Sequence, residues 1–394
     1  MNGQQAETPR DHADSGNDQH ALIFAHSQVS DPEWPEIFDT LCARMLRHQI
    51  EVFRPQNIVL EDEEREIRFL DSAKYIAEIH IRALTHSNGY ENHPHPPIPY
   101  DPHLNAVRII KETEEIYNLD IVLMPNGFKD RVRATPGLAV FDMDSTLIQQ
   151  EVIDELARAV GKYDEVAAIT SRAMKGELDF QESLTARVAL LEGVPITIWE
   201  QLKRGTVTFT PGARELTRCL RKLGWKTAVL SGGFMPLATW VKEKLGLDYA
   251  YANVLLTSED GTKLTGKLDP RAPVVHAARK RELLLQLAAE NGIPMENTLA
   301  VGDGSNDLLM MKAAGLGMAF NAKPSVQEAA PTKLNRRSLL DIMFLLGVTE
   351  VEVWKILAHG NRCTCGVGGE CGCEGAVGVM PVGWTYEVEV EGGD

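Results

Sequence analysis

Apolar and polar positions change rhythm twice along this chain, and the changes divide it. Between residues 138 and 346, short apolar runs (LAVFDMD, KTAVLSGG, TLAVGDG, GMAF) alternate with longer amphipathic stretches such as RELLLQLAAEN. Strand-length runs alternating with helix-length ones predict an α/β domain, a parallel sheet covered on both faces. A mostly helical insert, about 147–205, separates the first predicted strand from the next. Upstream the pattern is mixed α+β over 21–130. ALIFAH reads as a short strand, and PEIFDTLCARMLRHQ carries Ile37, Phe38, Leu41, Met45 and Leu46 on one helical face. The Pro- and His-rich THSNGYENHPHPPIPYDPHLN reads as a loop, 106–118 as a helix and 120–125 as a strand. Residues 1–20 are polar and are expected to be disordered. Residues 350–394 form a Cys- and Gly-rich tail without periodicity.

Composition narrows the function classes. The 394 residues carry a formal net charge of −16, which argues against a nucleic-acid partner because phosphate backbones select basic surfaces. A small anionic substrate remains compatible, since a local group of cations overrides the global field. No apolar run approaches the roughly 18 residues of a membrane span, and the first 20 residues lack the look of a signal or transit peptide, so the cytoplasm is expected. Four of the six cysteines (Cys363, Cys365, Cys371, Cys373) crowd into the tail, which is not a disulfide framework. Four thiols can enclose Zn²⁺, yet pairs spaced by one residue fit structural zinc poorly, and a disordered tail is preferred. His93, His95 and His103 are read as part of a solvated loop rather than a metal site.

The chemistry concentrates at strand ends. LAVFDMDST delivers two carboxylates, Asp142 and Asp144, past an apolar strand, where open α/β sheets bind ligands. Strand alternation puts residues i and i+2 on one face. Two acids on one small site invite a metal ion or a division between nucleophile and acid/base. Alone, the pair reads equally well as a turn and helix cap. KTAVLSGGF ends in Ser231-Gly232-Gly233, whose hydroxyl and open backbone N–H groups suit a phosphoryl oxygen or merely a Gly turn. Lys280 opens a helix whose first turn ordinarily prefers acids. TLAVGDGSND ends a further strand with Asp303, Asn306 and Asp307, carboxylates of the kind Mg²⁺ takes.

Over 138–346 these four segments, in this order, resemble the haloacid dehalogenase superfamily of phosphatases. The resemblance implies a Rossmannoid parallel sheet with a helical cap, the phosphatase domain spanning 136–346. It makes Asp142 the nucleophile and Asp144 the general acid/base. It assigns Mg²⁺ to Asp142, the backbone carbonyl of Asp144, and Asp303, with Asp307 and Asn306 supporting from behind. Ser231, Gly232 and Lys280 are implied to hold the phosphoryl group, with Asn306 beside them.

Within that superfamily, DMDSTLIQQEVIDELA and MKGELDFQESLTARVALLEG resemble the phosphoserine phosphatases. That likeness implies hydrolysis of phosphoserine at the last step of serine biosynthesis. It gives Glu151 to the substrate ammonium, Arg187 to its carboxylate, and Met174 and Phe180 to the apolar lid. A guanidinium fork suits a carboxylate. On spacing alone Glu151 reads as a helix N-terminal acid, Arg187 as a surface arginine, and Met174 and Phe180 as lid core. NLDIVLMPNGFKDRVRATPGLAVFDMD resembles the junction of long phosphoserine phosphatases, whose N-terminal regulatory region is often ACT-like. That admits an amino-acid effector and a homodimer. The alternative is a phosphatase or phosphotransferase for another small phosphomonoester, for which Glu151 and Arg187 are unnecessary.

Overall fold

In the computed structural model, residues 18–25, 36–37, 40–41, 50–53, 68–69, 76–83, 102–125 and 127–358 are described. The described chain divides into two compact units at Gly127 and Phe128. The tail cysteines, Cys42, His93 and His95 lie outside the described residues, as does the side chain of His103.

The first unit holds β1 (Asp18–Ala25), β2 (Ile50–Phe53), β3 (Arg68–Phe69), β4 (Ile76–Ala83), α1 (Pro102–Tyr117) and β5 (Leu119–Leu123). Its strands pair antiparallel in the order β2-β4-β1-β5, with β3 on β4. The α+β expectation for this region matches what is described. β1 begins at Asp18, inside the segment expected to be disordered. Of the five residues expected on one helical face, Ile37 and Leu41 are described, and both are buried.

The second unit opens with α2 (Phe128–Ala134) and β6 (Leu138–Phe141). All four residues of β6 are buried and none is polar, the composition of a central parallel strand covered on both faces. A helical insert follows: α3 (Val152–Ala159), α4 (Tyr163–Met174), α5 (Phe180–Ala189) and α6 (Ile198–Gly205). The chain returns through α7 (Ala213–Lys222), β7 (Lys226–Phe234), α8 (Met235–Leu245) and β8 (Tyr249–Asn253). A hairpin of β9 (Leu255–Thr257) and β10 (Leu264–Leu268) precedes α9 (Ala277–Glu290) and β11 (Thr298–Gly302). Then come α10 (Leu308–Ala313), β12 (Leu316–Phe320), α11 (Pro324–Ala329), β13 (Thr332–Leu334), α12 (Ile342–Leu345) and α13 (Glu350–Ala358).

The six strands run parallel in the order β13-β12-β11-β6-β7-β8. The first strand is therefore central. The chain fills one side of it, crosses over, and fills the other. A crevice opens where the winding reverses, at the carboxyl ends of β6 and its neighbours. Behind it Leu283, Leu284, Leu287 and Ala288 of α9 pack on Leu138, Val140, Ala228, Leu230 and Ala300. Fully burying each leucine stabilises the fold by roughly 1.5–3 kcal/mol.

The helical insert joins the sheet through two adjacent strands of chain. Ile148 bridges Phe209 antiparallel, the Gln149 N–H donates to Thr208 O, and the Thr210 N–H donates to Leu147 O. The hairpin, absent from the sequence reading, meets the insert's far end. There the Gly193 N–H donates to Leu264 O and the Leu264 N–H to Val194 O, both at 2.8 Å. α13 was also unforeseen, because residues from 350 onward read as aperiodic tail. Thr349 and Glu352 cap it reciprocally, Val353 is buried, and Lys222 Nζ donates to Ile356 O. Among the described residues no helix is long and apolar enough to cross a membrane.

Candidate active site

Asp142 is the first residue past β6. Its N–H donates to Val301 O of β11 at 2.9 Å, and its own carboxylate accepts from the Met143 N–H at 2.7 Å. Asp142 (φ −67°, ψ 163°) and Asp144 (φ −67°, ψ 135°) are each extended, but Met143 between them opens a wide turn that the Ile148 N–H closes on Met143 O. The turn, rather than strand alternation, brings the two carboxylates near each other, and the Asp142 charge helps raise the Asp144 pKa. Ser145 then turns the chain with φ 54°, a left-handed conformation rare for a side chain with a β-carbon. That turn sends Thr146 back toward β11, where its hydroxyl donates to Asp303 Oδ1 at 3.2 Å.

Lys280 is the electrostatic centre. Sequence placed it in a helical first turn; the structure buries it completely, in the first turn of α9. Its Nζ lies 2.8 Å from Asp142 Oδ1 and 2.7 Å from Asp307 Oδ1. Burial pushes its pKa down, but the Asp142 and Asp307 charges outweigh this and hold it above the ordinary lysine value. The two carboxylates thus compensate both the desolvation and the unfavourable helix end.

One cation does not neutralise the acids around it. Asp142, Asp303 and Asp307 each offer a carboxylate oxygen, and the three oxygens lie within 4.8 Å of one another. Asp303 is pushed up to about 7, first by burial and then by the charges of Asp142 and Glu151. Burial likewise raises Asp307 and Asp144 well above the carboxylate range. Hard oxygen donors that close, with too little positive charge nearby, fit a metal cation. The sequence reading placed Asp307 behind the metal; the structure brings it into the same cluster as Asp142 and Asp303.

The third wall is the end of β7. Ser231 is fully buried, and the Gly233 N–H donates to its Oγ at 2.8 Å. A β-carbon on Gly233 would stand 3.0 Å from Ser231 Oγ and 3.1 Å from Asp144 Oδ2, so a side chain here would press both groups out of place by a few tenths of an ångström. A β-carbon on Gly232 would stand 3.5 Å from Phe180 Cζ and 3.8 Å from Asn306 Nδ2. Phe180, from the helical insert, and Asn306, from the loop after β11, therefore both close over this turn.

Glu151 stands at the start of α3, and Ser145 Oγ donates to its Oε1 at 2.6 Å. Arg187 projects from α5, with its Nε donating to Ser183 O at 3.3 Å. Burial lowers its pKa, while the charges of Asp154, Glu151 and Asp144 oppose this. Insert and sheet residues thus sense one another electrostatically. The Met174 side chain lies outside the described residues. Sequence reading missed Ser145, Thr146 and Asp154 as supporting groups. Glu151-x-x-Asp154 at one helical turn was the available signal for the last.

Comparisons with known proteins agree with this geometry. Residues 137–315 match the haloacid dehalogenase-like hydrolases. A probable phosphoserine phosphatase of Schizosaccharomyces pombe is 52% identical over 224 residues, 57% of this chain and 74% of that protein. The phosphoserine phosphatase of Idiomarina loihiensis is 49% identical over 220 residues, 56% of this chain and 98% of that protein. Among solved structures, the probable phosphoserine phosphatase from Vibrio cholerae aligns at TM-score 0.58 and 31% identity, covering 86% of this chain and 88% of that one. A HAD-family hydrolase of Salmonella enterica serovar Typhi aligns at TM-score 0.65 and 27% identity, covering 84% and 98%. Fold, charge constellation and relatives converge: the chain belongs to the phosphoserine phosphatase family of haloacid dehalogenase-like hydrolases.

Proposed function

We propose that this protein hydrolyses O-phospho-L-serine to L-serine and phosphate through a phospho-aspartate on Asp142. The observation that carries the reading is the Asp142–Lys280–Asp307 clamp beside Asp144, faced by an acid and a guanidinium from the insert. Asp142, held at its backbone by β11 and at its carboxylate by Lys280, attacks phosphorus in line, and the bond to the serine oxygen breaks. Asp144, its pKa raised by burial and by the Glu151 and Asp142 charges, keeps a proton to give the leaving alkoxide. The resulting carboxylate then takes a proton from water, which attacks phosphorus and frees Asp142. Asp144 Oδ1 is buried without a hydrogen-bond partner, as a group reserved for a substrate proton would be.

Ser231, Gly232, Asn306 and Lys280 hold the phosphoryl oxygens. Asp142, Asp303 and the backbone carbonyl of Asp144 would hold Mg²⁺, with Asp307 at their side. When bound, the ion supplies positive charge where the transferring group concentrates negative charge. Glu151 takes the substrate ammonium and Arg187 its carboxylate, and Phe180 and Met174 shield the site from water. The same reading has the enzyme act in the cytoplasm at the last step of serine biosynthesis, with the N-terminal α+β unit as a regulatory module for an amino-acid effector. Phosphate release from a panel of phosphomonoesters tests the reading. A strong preference for phosphoserine over an aryl phosphate supports it, and equal rates on both would sink it.

A further inference from the structure

The turn that carries Ser231 has little of its own to hold it. Gly232 and Gly233 have no side chains to pack, and the register between β7 and β8 breaks between Leu230 and Phe234. Ladder hydrogen bonds therefore do not fix the Gly232–Gly233 peptide. Asn253, the last residue of β8, takes their place. It is 1% exposed, and its Nδ2 donates to Gly232 O at 2.7 Å. Its Oδ1 accepts from the Val275 N–H at 2.9 Å, just ahead of α9. One bond needs a donor and the other an acceptor, so the amide has a single satisfied orientation.

We propose that Asn253 is a positioning residue for phosphoryl transfer, which orients the Gly232–Gly233 peptide and through it the Ser231 hydroxyl. The peptide is held at both ends: its carbonyl by Asn253, and its N–H by Ser231 Oγ. An Oγ that already accepts from this N–H must direct its own hydrogen elsewhere, and no described protein group receives it. That hydrogen is left for the phosphoryl oxygen. The same amide braces the turn against the segment leading into α9, whose first turn presents Lys280. Ser231 and Lys280 approach the phosphoryl group from different elements, and Asn253 sets the distance between those elements. This inference rests on the reading of Ser231 as a phosphoryl contact.

The test uses Asn253→Asp in the full chain. The aspartate keeps an oxygen for the Val275 N–H but sets a carboxylate against the Gly232 carbonyl, which turns the peptide. Misplacing one reacting contact by an ångström costs on the order of 100-fold. The expected result is a fall in kcat of about 10- to 100-fold, with inhibition by inorganic phosphate weakened in parallel. Inhibition by L-serine, which samples Glu151 and Arg187, should stay unchanged. Asn253→Ala removes both bonds without adding charge and carries the same test should the aspartate variant not fold. A lowered Tm with kcat and phosphate inhibition intact well below that Tm would make Asn253 a purely structural residue and overturn the proposal. Ser231→Ala separates the two readings. If it weakens phosphate inhibition and the folded Asn253 variants do not, the positioning role alone fails. If it leaves phosphate inhibition intact, the assignment of Ser231 falls, and this inference with it.

Discussion

The sheet side and the insert side of the site handle charge in opposite ways. On the sheet side, Asp142, Lys280 and Asp307 are buried and paired with one another before any substrate arrives. On the insert side, Glu151 is exposed with a serine hydroxyl as its hydrogen-bond partner, and Arg187 donates one 3.3 Å bond to a carbonyl. A fully paired buried group is preorganised, so nothing need reorganise as charge develops on phosphorus. An underused guanidinium gains most when a substrate carboxylate completes its hydrogen bonds. The proposed function therefore puts chemistry on the preorganised side and recognition on the side whose groups have the fewest partners.

Substitution on the sheet side should damage every substrate alike. The largest effect is expected of Asp142→Asn, which keeps the shape but cannot attack phosphorus. Turnover should fall by about 10⁴-fold or more on phosphoserine and aryl phosphate together, as steady-state phosphate release would show. Chelation should also stop both reactions, and Mg²⁺ should restore them. Ca²⁺ should do so poorly, because its looser coordination spoils in-line geometry. Full activity in excess chelator would contradict the metal assignment of Asp303.

The insert side should instead discriminate between substrates. Arg187→Ala removes a charge-assisted pair expected to contribute about 2–5 kcal/mol, so kcat/KM for phosphoserine should drop roughly 30-fold to several thousandfold. The slow aryl phosphate reaction should barely change. Equal losses on both would make Arg187 a structural residue of the insert. A smaller effect is expected of Ser145→Ala, which frees Glu151 to move. KM for phosphoserine should rise about 3- to 10-fold with kcat little altered, the scale of one partly exposed charged hydrogen bond. An unchanged KM would mean that Ser145 does not orient Glu151.

The legibility of the site follows the same division. Asp142, Asp144, Ser231, Asp303 and Asp307 lie in short motifs at the ends of apolar strands, so strand direction alone gathers them into one crevice. The burial of Lys280 was not legible, because a lysine in a first helical turn is ordinarily solvated and its two carboxylates come from distant segments. Asn253 and Thr146 act on partners in other elements, and nothing local marks them. The β9–β10 hairpin hid because SEDGTK reads as any polar loop; Asp260 organises it by accepting from Ser258 and Thr262. α13 had a readable start in Thr349-x-x-Glu352, which the Gly-rich stretch beyond it obscured.

That helix sharpens the smallest prediction. Removing everything after Ala358 should leave Tm and turnover unchanged, since the Cys- and Gly-rich sequence beyond it lies outside every motif of the site. Removing everything after Val348 should lower Tm by roughly 3–10 °C, because Val353 and the Arg133–Glu352 pair go with it. Equal Tm for the two truncations would show that α13 adds nothing to the sheet unit.

The covalent intermediate gives the most direct test of the central claim. Full-length enzyme with Mg²⁺ is mixed with phosphoserine labelled at phosphorus, quenched in acid within one turnover, and digested for peptide mapping. The account predicts label on the peptide containing Asp142, at that residue, and none in Asp142→Asn. Phosphate release at the normal rate with no labelled enzyme, or with label on another residue, would contradict it.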